Sequence, residues 1–296
     1  MDVFLFGAGA SFGSGNCIPR PPPLGTQLFD ILDAGGGFVN SLSDEQKSRF
    51  RPRFEVGMAA LYEESNMNGL ALLREMSYYF AGFLPRSGNH YIELISHLKD
   101  RRKPFTLATT NYDLLIEFVI NTVGSKFNYV PSDSPDQIAI YKIHGSCNFL
   151  PSTRGMRITG ATYILAPGAR IMEGPIQIGT PDQIREFCTS QDSLAPAIAM
   201  YSVGKELLLC SEQVLEQRRQ WQKLAKAATV NYVVGLKVEK ADAHIWDILA
   251  ESPADLVYVG MEKDLEDWKV DVGKRNAYWI GERLEDALEP IKTRLT

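Results

Sequence analysis

The chain has 296 residues, of which 45% are hydrophobic and 23% charged, and its formal net charge is −5. That length holds one large α/β domain with an insertion or two modest domains, and the composition is that of a globular protein. The negative charge excludes strong autonomous binding to nucleic acid, which needs clustered Lys and Arg, and the longest apolar runs fall far short of the roughly 20 residues that span a bilayer.

Residues 3–6 are continuously apolar, as expected of a parallel strand buried on both faces. Gly7-Ala8-Gly9-Ala10-Ser11 follows, then a loop, then the helical spacing Leu24, Leu28, Ile31, Leu32. Gly7 and Gly9 can turn tightly and let backbone approach a diphosphate, with Ser11 adding a hydroxyl. A strict dinucleotide fingerprint wants a third glycine where Phe12 stands. Taken alone, the segment is equally a plain strand-to-loop turn.

Residues 35–53 read as a flexible polar loop with a short helix. Helical spacing then covers 54–62, 70–84 and 91–98. Residues 105–109 form a strand ending in Thr109-Thr110-Asn111-Tyr112-Asp113. Ligands of open α/β sheets bind outside the carboxyl ends of strands, where Asn111 offers both donor and acceptor. The same Asn and Asp are also good helix caps for the run that begins at Leu114. Residues 138–143 form another strand, ending in His144-Gly145-Ser146. A histidine there suits a general base at neutral pH, although a lone histidine is more often structural. His90 and His97 share a helical stretch without completing a metal site.

Residues 152–179 form an irregular insertion with short β-like pieces at 162–165 and 176–178. A helix is expected over 207–228, and strands over 230–234, 256–259 and 277–280. The basic groups 100–103 and 217–219 read as solvated helix ends or faces. The whole is α/β, a Rossmann-like parallel sheet with helices on both faces. It is organised as one domain over 1–296, with a helical insertion at about 36–103 and an irregular one at about 150–200.

Cys17, Cys147, Cys188 and Cys210 include no C-x-x-C pair, so neither a zinc ribbon nor a disulfide framework is expected. No basic stretch precedes an apolar core of the signal-peptide type, and a cytoplasmic protein with reduced thiols is the expectation. A Cys147–His144 nucleophile pair lacks a second activating group.

Together the three islands resemble the sirtuin superfamily: the cradle Gly7–Ser11, the loop Ile18-Pro19, the strand end Thr109–Asp113, the strand end His144-Gly145, and late in the chain Val233-Val234-Gly235. The run Asp242-Ala243-His244-Ile245 is similar to one common in bacterial sirtuin-like proteins. The resemblance covers roughly residues 1–35, 104–150 and 228–282. It departs from protein deacetylases by having no zinc module and no recognisable peptide-clamping strand, and Arg20-Pro21-Pro22-Pro23 replaces the usual Phe-Arg. This profile resembles that of the divergent sirtuin-like NAD-hydrolysing effectors of bacterial antiphage defence.

The resemblance implies NAD as substrate and no metal. Gly7, Ala8, Gly9 and Ser11 would carry the diphosphate. Pro19, Arg20 and Thr109 would complete the cofactor contacts, and Gly235 would lie against the adenosine half. Asp113 would orient the carboxamide, Asn111 would hold the ribose or a water, and His144 would accept a proton. It also implies a homo-oligomer, with a HerA-like ring ATPase or a short Argonaute as partner. An NAD-dependent deacylase and a catalytically silent NAD or ADP-ribose sensor stay open as alternatives.

Overall fold

The computed structural model describes residues 1–101, 103–131, 134, 136–152, 157–159, 171–190, 194–199 and 210–295. In chain order the strands are β1 (Asp2–Phe6), β2 (Gly15–Ile18), β3 (Leu84–Asn89), β4 (Phe105–Thr109), β5 (Lys126–Asn128), β6 (Gln137–Lys142) and β7 (Phe149–Pro151). They continue with β8 (Arg157–Thr159), β9 (Ile171–Glu173), β10 (Ile176–Ile178), β11 (Val230–Val234), β12 (Asp255–Val259) and β13 (Ala277–Gly281). The helices are α1 (Ala8–Phe12), α2 (Gly25–Ala34), α3 (Asp44–Phe50), α4 (Phe54–Glu64), α5 (Asn66–Phe80) and α6 (His90–Asp100). After them come α7 (Leu115–Thr122), α8 (Pro181–Ser190), α9 (Ser211–Ala227), α10 (Ala243–Glu251), α11 (Glu262–Val272) and α12 (Leu284–Leu295).

A seven-stranded sheet of order β13-β12-β11-β1-β4-β6-β5 forms the centre, and all its pairings are parallel. The chain builds outward from β1 through β4 to β6 and β5, then restarts on the other side of β1 with β11, β12 and β13. The order therefore reverses between β1 and β11, the place where open α/β sheets keep their ligand crevice. The expected Rossmann-like parallel sheet is borne out.

Burial explains the apolar run of β1. Val3, Phe4, Leu5 and Phe6 are all buried, because helices cover both faces. Phe4 and Phe6 join the larger core with Tyr232, whose ring stacks on Phe4 at 4.4 Å between centroids, under α2, α4–α7 and α12. Val3 and Leu5 point the other way, to Val233, Trp221 and Leu249, under α9–α11.

The expected helices are present with moved ends. The stretch 70–84 forms α5 but stops at Phe80, and 84–89 become β3, paired antiparallel with β2. Pro85 bars Leu84 from helical geometry, and Gly88 takes φ +83, so this segment leaves the helix despite its spacing. The short helix of the polar loop is α3, opened by Ser43 and Gln46 in a reciprocal capping box. β5 has three residues and no alternation to betray it. The β-like piece at 176–178 is β10, which pairs antiparallel with β7. The one at 162–165 and the first three residues of the 207–228 helix lie outside the described residues.

The basic groups are corrected in part: Asp100 and Lys103 are exposed as expected, but three other residues of the two groups are not. Arg101 is largely buried in an ion pair with Asp2 at 3.2 Å, and Gln217 and Arg218 are buried on α9. Helix α9 packs against β6 and α10 at once, so a wide sector of it is covered. Only Arg219 of that group is solvated. Among the described residues, no helix is long and apolar enough to cross a membrane.

Candidate active site

Two turns meet where the strand order reverses. Gly7 N–H donates to Val234 O at 2.9 Å and Gly9 N–H to Gly235 O at 2.8 Å. Gly235 has φ +66, and a Cβ on it would lie 2.0 Å from Ala10 N. These glycines therefore let the turn after β1 touch the turn after β11 backbone to backbone. The amides of Gly7 and Gly9 are taken up by that contact, and the exposed Ala8 and the buried Ser11 remain on the cleft side.

The end of β4 completes this cleft. Thr109 Oγ1 donates to Phe6 O at 2.9 Å and accepts from Asn111 N–H at 2.9 Å, which holds Asn111 toward the glycine turn. Asn111 Nδ2 donates to Gly7 O at 2.9 Å and to Ser11 Oγ at 2.8 Å. Ser11 also meets the hydroxyl of Tyr91 at 3.2 Å and lies near the Asp113 carboxylate. Asp113 accepts from Leu115 N–H at 3.0 Å, so it is helix cap and cleft wall at once. Burial pushes its pKa above the ordinary carboxylate value, and the Lys142 cation opposes that rise. The cleft is lined by Ala8, Ser11, Pro22, Pro23, Asn111 and Asp113 among others.

Behind this wall Lys142 is fully buried. Its Nζ donates to Asp113 O at 2.6 Å and pairs with Glu117 at 3.2 Å. Tyr129 donates its hydroxyl proton to the same Glu117 oxygen at 2.9 Å and accepts from Asn148 Nδ2 at 2.8 Å.

His144 lies on the other flank of the rim, fully buried, and does not line the cleft. Its Nε2 is 2.9 Å from Nε2 of His244 at the start of α10 and 3.6 Å from Asp242 Oδ1. Arg218 of α9 donates from Nε to Ile143 O at 3.4 Å; burial lowers its pKa and the nearby Asp242 counters that effect. The segment 194–199 covers the turn. Ala199 N–H donates to His144 O at 2.8 Å, Ser146 N–H to Ala197 O at 3.2 Å, and Gly145 (φ +78) sits against Ala197.

The structure thus brings Ala8, Ser11, Asn111 and Asp113 to one cleft, with Thr109 as their brace. Gly7, Gly9 and Gly235 form the turn contact beside it. Pro19 and Arg20 are exposed and do not line the cleft, whereas Pro22 and Pro23 do. The sequence reading left Asp242 and His244 outside the site. Their signal was the Asp242-Ala243-His244 run, which two residue types of proton chemistry made worth pairing with His144. Cys147 is wholly buried, and that burial holds its thiol far above the ordinary pKa, as an unreactive core residue. His144, Asp242 and His244 are the only group of metal-ligating type close enough to share an ion among the described residues, and no cysteine belongs to it.

No protein-family profile and no curated protein matches the chain. Among solved structures it is similar to a Sir2 homologue in complex with NAD, at 15% identity and a TM-score of 0.47 over 99% of this chain and 90% of that one. It is also similar to a mutant Sir2 homologue in complex with ADP-ribose, at 14% identity and a TM-score of 0.45 over 99% of this chain and 89% of that one.

Proposed function

We propose that the protein is an NAD⁺ glycohydrolase that cleaves the nicotinamide–ribose bond to give nicotinamide and ADP-ribose. The observation that carries this reading is the Asn111–Ser11 hydrogen bond beside the buried Asp113 carboxylate, which together wall a cleft at the carboxyl ends of β1 and β4. The order of motifs that resembles the sirtuins supplies the same residues. The nicotinamide lies in the cleft, its carboxamide against Asp113 and its ribose near Asn111. As the C1′–N bond breaks, its electron pair leaves with neutral nicotinamide. A water oxygen bonds C1′, and its proton goes to His144 as general base. Ser11 and the exposed turn at Ala8 face the diphosphate, and Gly235 the adenosine half. No metal enters the reaction.

The burial of His144, whose turn is hydrogen-bonded to 194–199, supports a regulated enzyme, because the base has to become accessible before it can act. We place the protein as an NAD-depleting effector of bacterial antiphage defence. Assembly activates it, as a homo-oligomer with a HerA-like ring ATPase or a short Argonaute, a placement made by analogy. A state that binds the partner better with the cover displaced gains population on assembly.

The test is to incubate the protein with NAD alone, with and without the product of the neighbouring gene, and to measure nicotinamide and ADP-ribose. Turnover that Asn111→Ala and His144→Ala each abolish without unfolding is expected. Turnover only with an acylated peptide makes the protein a deacylase. Binding without turnover makes it a sensor. Near-normal activity in either variant removes that residue from the mechanism.

A further inference from the structure

The tightest cluster of proton-carrying side chains outside the cleft is His144, His244 and Asp242. We propose that His244 and Asp242 are positioning residues: they hold the proton of His144 on Nε2, so that Nδ1 is the nitrogen that accepts a proton. The catalytic meaning of this assignment rests on the NAD-hydrolysis reading; the assignment itself rests on geometry.

Two imidazole nitrogens 2.9 Å apart make a hydrogen bond only if one carries the proton and the other a lone pair. Asp242 Oδ1, 3.6 Å from Nε2 of His144, decides which: the carboxylate favours positive hydrogen at that nitrogen. His144 then donates from Nε2 to Nε2 of His244. Gln222 Nε2 donates to the main-chain oxygen of His244 at 3.4 Å and ties the start of α10 to α9. When water bonds C1′ and nicotinamide leaves with the electron pair of the broken bond, the water proton goes to Nδ1. The resulting imidazolium keeps its Nε2 proton toward His244, and Asp242 offsets its charge.

Arg218 of α9 lies beside Asp242, and Lys142 on the same strand as His144 turns its ammonium to Asp113 O and Glu117. A shared metal ion fits less well. Tetrahedral ligands about 2.0–2.1 Å from a zinc ion stand about 3.3 Å apart, farther than the two Nε2 atoms, and a buried guanidinium beside the carboxylate opposes a cation.

The experiment uses the full chain with ¹⁵N-labelled histidine. Long-range ¹H–¹⁵N spectra give the tautomer and the titration of His144, assigned by the signal lost in His144→Gln. The expected wild-type form is Nε2–H. His244→Phe should mix the tautomers, and His244→Gln, whose side-chain oxygen still accepts, should restore Nε2–H. Asp242→Asn should lower the pKa of His144 by about one unit. In the activated enzyme the acid limb of kcat should move down equally, with KM little changed, a shift that simple loss of folded protein does not produce. A wild-type Nδ1–H tautomer, or an unmoved titration in Asp242→Asn, overturns the proposal. So does stoichiometric Co²⁺ uptake with a visible absorption band that His244→Gln removes. If the activated wild type leaves NAD intact, the functional reading fails while the tautomer spectra still decide this one.

Discussion

The two flanks of the carboxyl rim handle buried polar groups in opposite ways. On the cleft flank, Asn111, Ser11 and Asp113 are buried but border open space, and a charge-bearing wall of Lys142 and Glu117 stands behind them. On the other flank, His144 and Asp242 are buried and His244 is half-buried, beside α9 and α10, with 194–199 hydrogen-bonded to the backbone of the His144 turn. The first arrangement is ready for a ligand and must hold its shape without one. The second becomes usable only when something moves. On the proposed reading, the difference separates a specificity cleft, whose polar groups are satisfied by the fold, from a base whose exposure is a matter of regulation.

The sharpest way to break the comparison is to attack the wall behind the cleft. Lys142→Met leaves the Glu117 carboxylate buried without its cation, and such losses cost about 3–5 kcal/mol. Urea denaturation should show that loss, and adding Glu117→Leu should recover much of it, because removing both partners takes away the uncompensated charge. Wild-type stability in Lys142→Met would mean that the wall carries no such pair. Second in size is Gly235→Ala. It forces a side chain into a left-handed backbone and against Ala10 N, together about 2–4 kcal/mol. A normal midpoint would show that the two turns can part, and that the flanks are not held by backbone contact between β1 and β11.

The strands and the cleft were legible for one physical reason. A parallel strand buried on both faces is largely apolar, so β1 announces itself, as do β4 and β11 despite the buried Thr106 and Asn231, and their carboxyl ends are where a crevice forms. Asn111 and Asp113 stand at such an end, but position alone also makes them helix caps, and it was the resemblance that singled them out. Two things were hidden. Helical spacing at 70–84 runs past the end of α5 at Phe80 to Leu84, the first residue of β3, since apolar periodicity says nothing about where a strand partner such as β2 waits. The pairing of His144 with His244 joins residues 100 apart in sequence, and only the packing of α10 against the rim brings them together. Arg218 was misread for the same reason: a charged residue on a helix looks solvated until a second element is known to cover that face.

The smallest expected effect sharpens the comparison most, because it separates function from stability at one atom. Burial raises the pKa of Asp113, with Lys142 opposing, so the ionised carboxylate is a cost to the folded state at neutral pH. A carboxyl with a raised folded pKa favours folding below its unfolded pKa, and that benefit is lost as pH rises through the folded value. Asp113→Asn keeps an oxygen to accept from Leu115 N–H and removes the charge. The variant should therefore melt at or above the wild-type Tm at pH 7, by at most about 2–4 °C, the shift that about 1 kcal/mol gives in a chain of this size. The gain should fade below about pH 4, where the wild-type carboxyl is protonated in both states. NAD turnover should nonetheless be lost, because the carboxamide loses its orienting acceptor. Calorimetry across pH checks the first part and nicotinamide release the second. A lower Tm at pH 7 would show that Asp113 serves the fold as an ionic partner of Lys142, and the cleft flank would then be structural in the same sense as the wall behind it.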